Sequence, residues 1–337
     1  MKLLVVQWAE EDEQLSNQFI DGRADTRVAS GLAKTVAKLH KMPCDPSFNE
    51  DVKGTMISFI IRMQGNIEKL PSKTNRTGDL AKSMGNDKLA ELGAAICAAY
   101  ETQHCLVHSD VHGFNVLVEP KPSIERLQDF GEKGTFKLVD WEMAYVGPVG
   151  RDIGIMMAFP IACALSHAIS GAEDCAKDVL SFIDTFWVSY KLALCSDEDD
   201  NGLPGLPDIY RNACIWLSSF LLFYHIEEIH LEFLPLKKGT KDYDAVRDSL
   251  GVLGLRLLSV GCCPSFDNTS LANLEKMYES AISQQLEAMR IAKLQTPSRV
   301  RRSSSWLRQQ GRRVSDGDMI FRMSMTGLAI DEADEED

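Results

Sequence analysis

The residues best equipped for chemistry lie in one short stretch, His108-Ser109-Asp110-Val111-His112-Gly113-Phe114-Asn115, between the apolar runs Leu106-Val107 and Val116-Leu117-Val118. Phosphoryl transfer to a hydroxyl asks little covalent chemistry of a protein. It asks for a carboxylate that orients and deprotonates the attacking hydroxyl, and for oxygen ligands that hold magnesium against the phosphates. An Asp and an Asn five positions apart on a tight loop supply both, Asp110 towards the acceptor and Asn115 towards the metal. A second metal-binding Asp must arrive from a neighbouring strand, and Asp140 closes the run Phe136-Lys137-Leu138-Val139. The same three residues also read as turn formers capping strands, and a lone D-x-x-x-x-N occurs by chance in many chains. The full order is much rarer: apolar run, H-x-D-x-x-x-x-N, apolar run, hairpin, apolar run, Asp.

Residues 105–154 resemble the aminoglycoside phosphotransferase and choline kinase superfamily, which shares the protein-kinase fold. That family's loop usually reads His-Gly-Asp, four residues and Asn, followed by a strand ending in Asp. The resemblance implies Asp110 as catalytic base, Asn115 and Asp140 as Mg2+ ligands, and ATP as co-substrate. It makes His108 a brace for the loop rather than a chemical group, and it sets Ser109 where the family usually has Gly.

A second, local resemblance is to methylthioribose kinases. It is carried by Asp140-Trp141-Glu142 and by Gly147-Pro148-Val149-Gly150-Arg151-Asp152-Ile153-Gly154, where that family has D-x-E and then G-P-x-G-x-D-I-G. It implies that Glu142 touches the metal or the acceptor. It also implies that Asp152 caps the next helix and holds the catalytic loop through its backbone. The paired arginines of that family's helical lobe have no counterpart, the nearest candidate being a lone Arg256. More loosely, Val5-Val6-Gln7-Trp8 resembles the hinge strand whose backbone meets adenine, giving Gln7 and Trp8 as nucleotide-hinge residues.

The acceptor is expected to be small. Protein kinases follow the metal-binding Asp with a long activation segment closed by Ala-Pro-Glu. Here about ten residues lead from Asp140 to the helix near Gly150, and no Ala-Pro-Glu follows. The expected function is ATP- and magnesium-dependent phosphotransfer to a hydroxyl of a sugar, aminoglycoside or amino-alcohol. The other class of reading is a non-catalytic, kinase-derived binding or scaffold module. It arises because no Gly-rich phosphate loop, strand Lys or GxxxxGK[ST] precedes or replaces the hinge strand.

These residues need elements to position them. The apolar positions Val28, Leu32, Val36 and Leu39 predict a helix over 23–40, ended by Pro43. Helices are predicted over about 52–70 and 86–103, separated by the turn-rich Pro71 to Gly78. Further helices are predicted over 150–170, 172–194, 207–233, 242–260 and 268–293, with a short strand at 3–8, an exposed turn at Glu10 to Glu13 and an exposed loop at 120–134. The fold class is α+β and protein-kinase-like, this chain carrying mostly the α-helical C-terminal lobe with a small catalytic β-hairpin. Three regions are expected: a hinge strand and linker remnant at 1–22, a catalytic and acceptor-binding lobe at 23–293, and a disordered tail at 294–337.

With 45% hydrophobic and 25% charged residues, the 337-residue chain can bury a substantial core. A net charge of -13 argues against an extended nucleic-acid surface. Its 9 cysteines form no CxxC and read as reduced thiols of a cytoplasmic protein. The most membrane-like stretch, 153–169, contains Pro160, Ser166 and His167 and reads as a buried core helix, so no membrane partner is expected. In the tail, Arg301-Arg302-Ser303-Ser304 and Arg312-Arg313-Val314-Ser315 set Ser304 and Ser315 in the pattern that basophilic protein kinases accept, and read equally as a solvated tail whose serines keep it soluble.

Overall fold

The computed structural model describes residues 13–118, 136–195, 203–228 and 230–262. The strand at 3–8 with Gln7 and Trp8, the loop at 120–134, the helix at 268–293, and the tail with Ser304 and Ser315 lie outside these residues. The described part is mostly helical, with a few short strands gathered around the segment 108–115.

Two small sheets hold that segment by its ends. β1 (Glu13–Gln14), β3 (Val116–Val118) and β4 (Phe136–Leu138) form a three-stranded antiparallel sheet in the order β1-β3-β4, with Val116 opposite Leu138. β2 (Cys105–Val107) pairs antiparallel with β5 (Tyr145–Gly147), Cys105 facing Gly147. The chain between β2 and β3 is therefore fixed at both ends, and β5 leads directly into the central helix.

That helix, α6 (Gly150–Ile169), is buried along almost its whole length. It is long and apolar enough to cross a membrane, yet 94% of its apolar window is covered by the rest of the fold. Pro160 sits inside it and removes one backbone donor, a loss that the surrounding packing tolerates. α7 (Glu173–Cys195) and α8 (Leu206–Glu227) flank α6, and α9 (Lys241–Gly261) packs on α8. The crossing of α6 with α8 is close because of two glycines. A Cβ at Gly150 would stand 2.3 Å from the Ala213 nitrogen, and one at Gly154 would stand 2.4 Å from the Leu217 nitrogen.

On the other side of the core, α2 (Thr26–His40) lays Val28, Leu32, Val36 and Leu39 against α7. Burying each of these side chains favours folding by about 1.5–3 kcal/mol. Asp25 caps α2 by accepting the Arg27 N–H at 2.9 Å. α3 (Glu50–Glu68) and α5 (Asn86–Glu101) pack together, and α5 delivers the chain to β2.

Five local features differ from the sequence reading or were missing from it. Glu13 belongs to a strand rather than a turn, because Val118 across the sheet supplies its backbone partner while Arg23 meets its carboxylate at 2.9 Å. The stretch read as turn-rich up to Gly78 starts α4 (Arg76–Met84), with the Asn75 side chain accepting the Gly78 N–H at 2.9 Å. The residues before α2 hold a short helix, α1 (Leu15–Ile20), and those before α6 hold strand β5. The helix expected over 207–233 ends at Glu227, where Glu228 turns left-handed (φ 58°) and is held by Lys238, Arg247 and Tyr243.

Candidate active site

The loop from His108 to Asn115 folds back on itself around Asp110. The Asn115 side-chain amide donates to the Asp110 carbonyl oxygen at 3.0 Å and to Asp110 Oδ2 at 2.9 Å. His112 Nε2 lies 3.3 Å from Asp110 Oδ1. The Phe114 N–H points at His112 Nδ1 at 3.3 Å, and the Asn115 amide nitrogen lies 3.4 Å from His112 Nε2. The Asp110 side chain remains 33% exposed, which leaves it reachable from solvent. Desolvation pushes its carboxyl up, but the charge and hydrogen bond of His112, then the charges of Arg151 and His108, draw it down to about 2.

Asp140 reaches the same place through the sheet. Val139 N–H donates to the Asn115 carbonyl at 3.0 Å, carrying the β3–β4 ladder one step on to the loop. Asp140 then takes a left-handed conformation (φ 64°) and starts the 3-10 turn Trp141–Met143. Burial raises its carboxyl, and the negative charges of Glu142 and Asp110 raise it further. Asp110, Asn115 and Asp140 are thus brought together, with Glu142 close enough to act on Asp140. Among the described residues, no group of three His, Cys, Asp or Glu side chains is placed to hold a metal ion.

His108 braces the loop from behind. It is fully buried, its Nε2 donates to the Val139 carbonyl at 2.9 Å, and its Nδ1 faces the Asp110 N–H at 3.4 Å. Trp141 stands edge-on to its ring at 4.5 Å and anchors its own indole N–H on the Leu138 carbonyl.

Asp152, also fully buried, accepts the His108 N–H at 2.8 Å and the Ser109 N–H at 2.7 Å. His40 Nε2 meets Asp152 Oδ2 at 3.2 Å, and His40 Nδ1 meets the Tyr190 hydroxyl at 2.7 Å. Burial pushes the Asp152 carboxyl up, but the hydrogen bond and charge of His40 and the partners at His108 hold it below the usual range. Its carboxylate is shared between the loop and His40 rather than capping α6, whose N-cap is Val149 and whose Gly150 N–H is taken by Asn212.

Four participants were not assigned roles from sequence. His40 and Tyr190 lie 112 and 38 residues from Asp152, and no local pattern links them to it. Arg151 looks like a variable position inside a motif, yet it is 4% exposed and binds Ser109. His230 stacks on Phe114 at 4.9 Å, and burial and the neighbouring His112 pull its imidazole down to about 4. Its backbone is left-handed (φ 62°) at the start of the 3-10 turn Leu231–Phe233, a position that nothing in the local sequence marks. Gln7 and Trp8 fall outside the described residues. Compared with known proteins, the chain matches no protein-family model and no curated protein.

Proposed function

We propose that this chain transfers a phosphoryl group from ATP, with magnesium, to a hydroxyl of a small molecule of the sugar, aminoglycoside or amino-alcohol type. The observation that carries the reading is how Asn115 divides its amide. Its NH2 group donates to Asp110, leaving Oδ1 with no hydrogen-bond partner among the described residues, while the Asp140 carboxylate is under like-charge repulsion from Glu142 and from the same Asp110. A helical body around a small catalytic hairpin is also what a protein-kinase-like fold implies.

The donor set fits magnesium bound with a nucleotide. Mg2+ commonly takes only one or two protein carboxylates and completes its shell with phosphate oxygens and water. Asp140 and Asn115 would hold it, so the lack of a three-carboxylate group is no obstacle. When bound, the ion would neutralise charge developing on the transferred phosphate.

Asp110 would receive the acceptor hydroxyl. A carboxyl near 2 stays ionised at neutral pH and is a weak base, so its larger contribution is to aim the hydroxyl oxygen at phosphorus. As the new oxygen–phosphorus bond would form and the bond from the γ-phosphorus to the ADP oxygen would break, the hydroxyl proton would pass to Asp110 and then to water, with ADP as the leaving group. His112 and Asn115 hold the two carboxylate oxygens in place during that transfer.

The test is ATP-dependent phosphorylation of a panel of sugars, aminoglycosides and amino-alcohols by the full chain and by Asp110→Asn. The variant is expected to lose about 10²–10⁴ in rate while keeping its melting temperature within a few degrees. Retention of more than about a tenth of the activity would remove Asp110 from the base role. Nucleotide binding without turnover on any acceptor would favour the non-catalytic module.

A further inference from the structure

Ser109 and Arg151 meet in a way that neither the sequence patterns nor the proposed chemistry calls for. Ser109 sits at φ 74°, a left-handed conformation that a residue with a Cβ adopts only under constraint. Its N–H is taken by Asp152, and its carbonyl and hydroxyl oxygens are both taken by Arg151 Nε, at 3.1 and 2.8 Å. Two consecutive residues of α6 therefore grip every polar group of Ser109.

Arg151 is costly where it is. It is buried, and no carboxylate forms an ion pair with it among the described residues. Its Nη2 points at Met56 Sδ, and its Nη1 has no partner. The rings of Trp216 and Phe220, at 4.7 and 5.8 Å, offset part of the lost hydration. A residue needed only to fill this space would be apolar, because a buried unpaired charge destabilises a fold. Beyond the guanidinium charge, which helps hold the Asp110 carboxyl down, the Nε–H does something an apolar residue cannot.

We propose that Arg151 is a positioning residue that locks Ser109 in its left-handed conformation, the two forming a matched pair in place of one glycine. The peptide between Ser109 and Asp110 is thereby fixed, and with it the direction of the Asp110 side chain. The consequence for turnover rests on the phosphotransfer reading, whereas the lock itself does not.

Hydrogen–deuterium exchange of the peptide 105–118 in the full chain separates the two. Ser109→Ala keeps the strained Cβ and loses the hydroxyl, so exchange is expected to rise about tenfold. Ser109→Gly takes the left-handed conformation freely and is expected to stay within about threefold of the parent. Arg151→Met should exchange like Ser109→Ala, and adding Ser109→Gly to it should bring protection back to within about threefold of Ser109→Gly alone.

Equal exchange for Ala and Gly at 109, or no rescue of Arg151→Met by Ser109→Gly, would overturn the proposal and leave Arg151 as core packing. If Arg151→Met does not fold, the comparison of Ala with Gly at 109 decides alone. Once an acceptor is known, Ser109→Ala is expected to lower kcat with the KM for ATP unchanged. Absence of turnover would count against the phosphotransfer reading without touching the order of exchange rates.

Discussion

The two faces of the loop from His108 to Asn115 are built on opposite principles. Behind it, Asp152, His40, Tyr190 and His108 are buried and joined by hydrogen bonds, and the one buried carboxylate is stabilised in its ionised form. In front, Asp140 and Glu142 are exposed, Asp110 is partly so, and the charges work against one another. Those four buried residues find partners for their side-chain polar groups, whereas in front repulsion remains where a cation can arrive. Substitutions behind should damage the fold, and substitutions in front should damage function or even help stability.

The largest stability loss is expected from Asp152→Ala. It strands the His108 and Ser109 N–H groups and removes the partner of His40, at a cost of about 3–5 kcal/mol in urea unfolding. Its pH dependence has a definite sign. The Asp152 carboxyl lies below its ordinary value in the folded state, so its ionised form favours folding. That stability is complete above the unfolded value of 3.8 and fades as pH falls through the folded one. Asp152→Asn should therefore differ most from the parent at neutral pH, with the gap closing below about pH 4 in melting curves. A constant gap from pH 7 to pH 3 would mean that the carboxylate charge is not what the back face uses.

Next comes Gly154→Ala, which forces a Cβ to within 2.4 Å of the Leu217 nitrogen and 2.7 Å of the Trp216 Cβ. A loss of about 1–3 kcal/mol is expected from overpacking, measured by denaturant midpoint. A neutral outcome would show that the α6–α8 crossing can open without effort.

The smallest effect has the opposite sign. The Asp140 carboxyl is raised, so ionising it disfavours the folded state as pH climbs above 3.8. Asp140→Asn should gain a few tenths of a kcal/mol at pH 7 and nothing at pH 3. Millimolar magnesium should erase that advantage by stabilising the parent, and calorimetry would detect it. A loss of stability at neutral pH would place Asp140 with the back face and break the comparison.

The front was legible in the sequence, and of the back only His108 and Asp152 were, through the resemblances. Asp110, Asn115 and Asp140 were found because loop, strands and spacing lie within a few dozen residues, and β3 and β4 pair as that order requires. Helices with a repeated apolar stripe, such as α2, were found for the same reason. α1 offers only one turn of pattern, Leu15 with Phe19, and α4 is polar with a glycine inside. β5 is three residues buried on both faces, with no alternation to detect. His40 and Arg151 carry no local mark, because their partners are set by how α2 and α6 pack against the loop.

The α6–α8 crossing has a consequence for how accurately Asp110 is placed. Asn212 Oδ1 accepts the Gly150 N–H at 2.9 Å, and the two glycines let α6 rest on the backbone of α8 without side chains between them. Arg151 and Asp152 follow Gly150 at once and hold Ser109, the residue before Asp110. In engineering terms this is a short tolerance chain, a datum surface on α8 joined to the working edge by a few stiff links. Long, flexible side chains, which add play to such a chain, are missing from the joint that sets the datum. Wear at that joint, through Asn212 or Trp216, would misalign the edge with every residue of the edge itself unchanged.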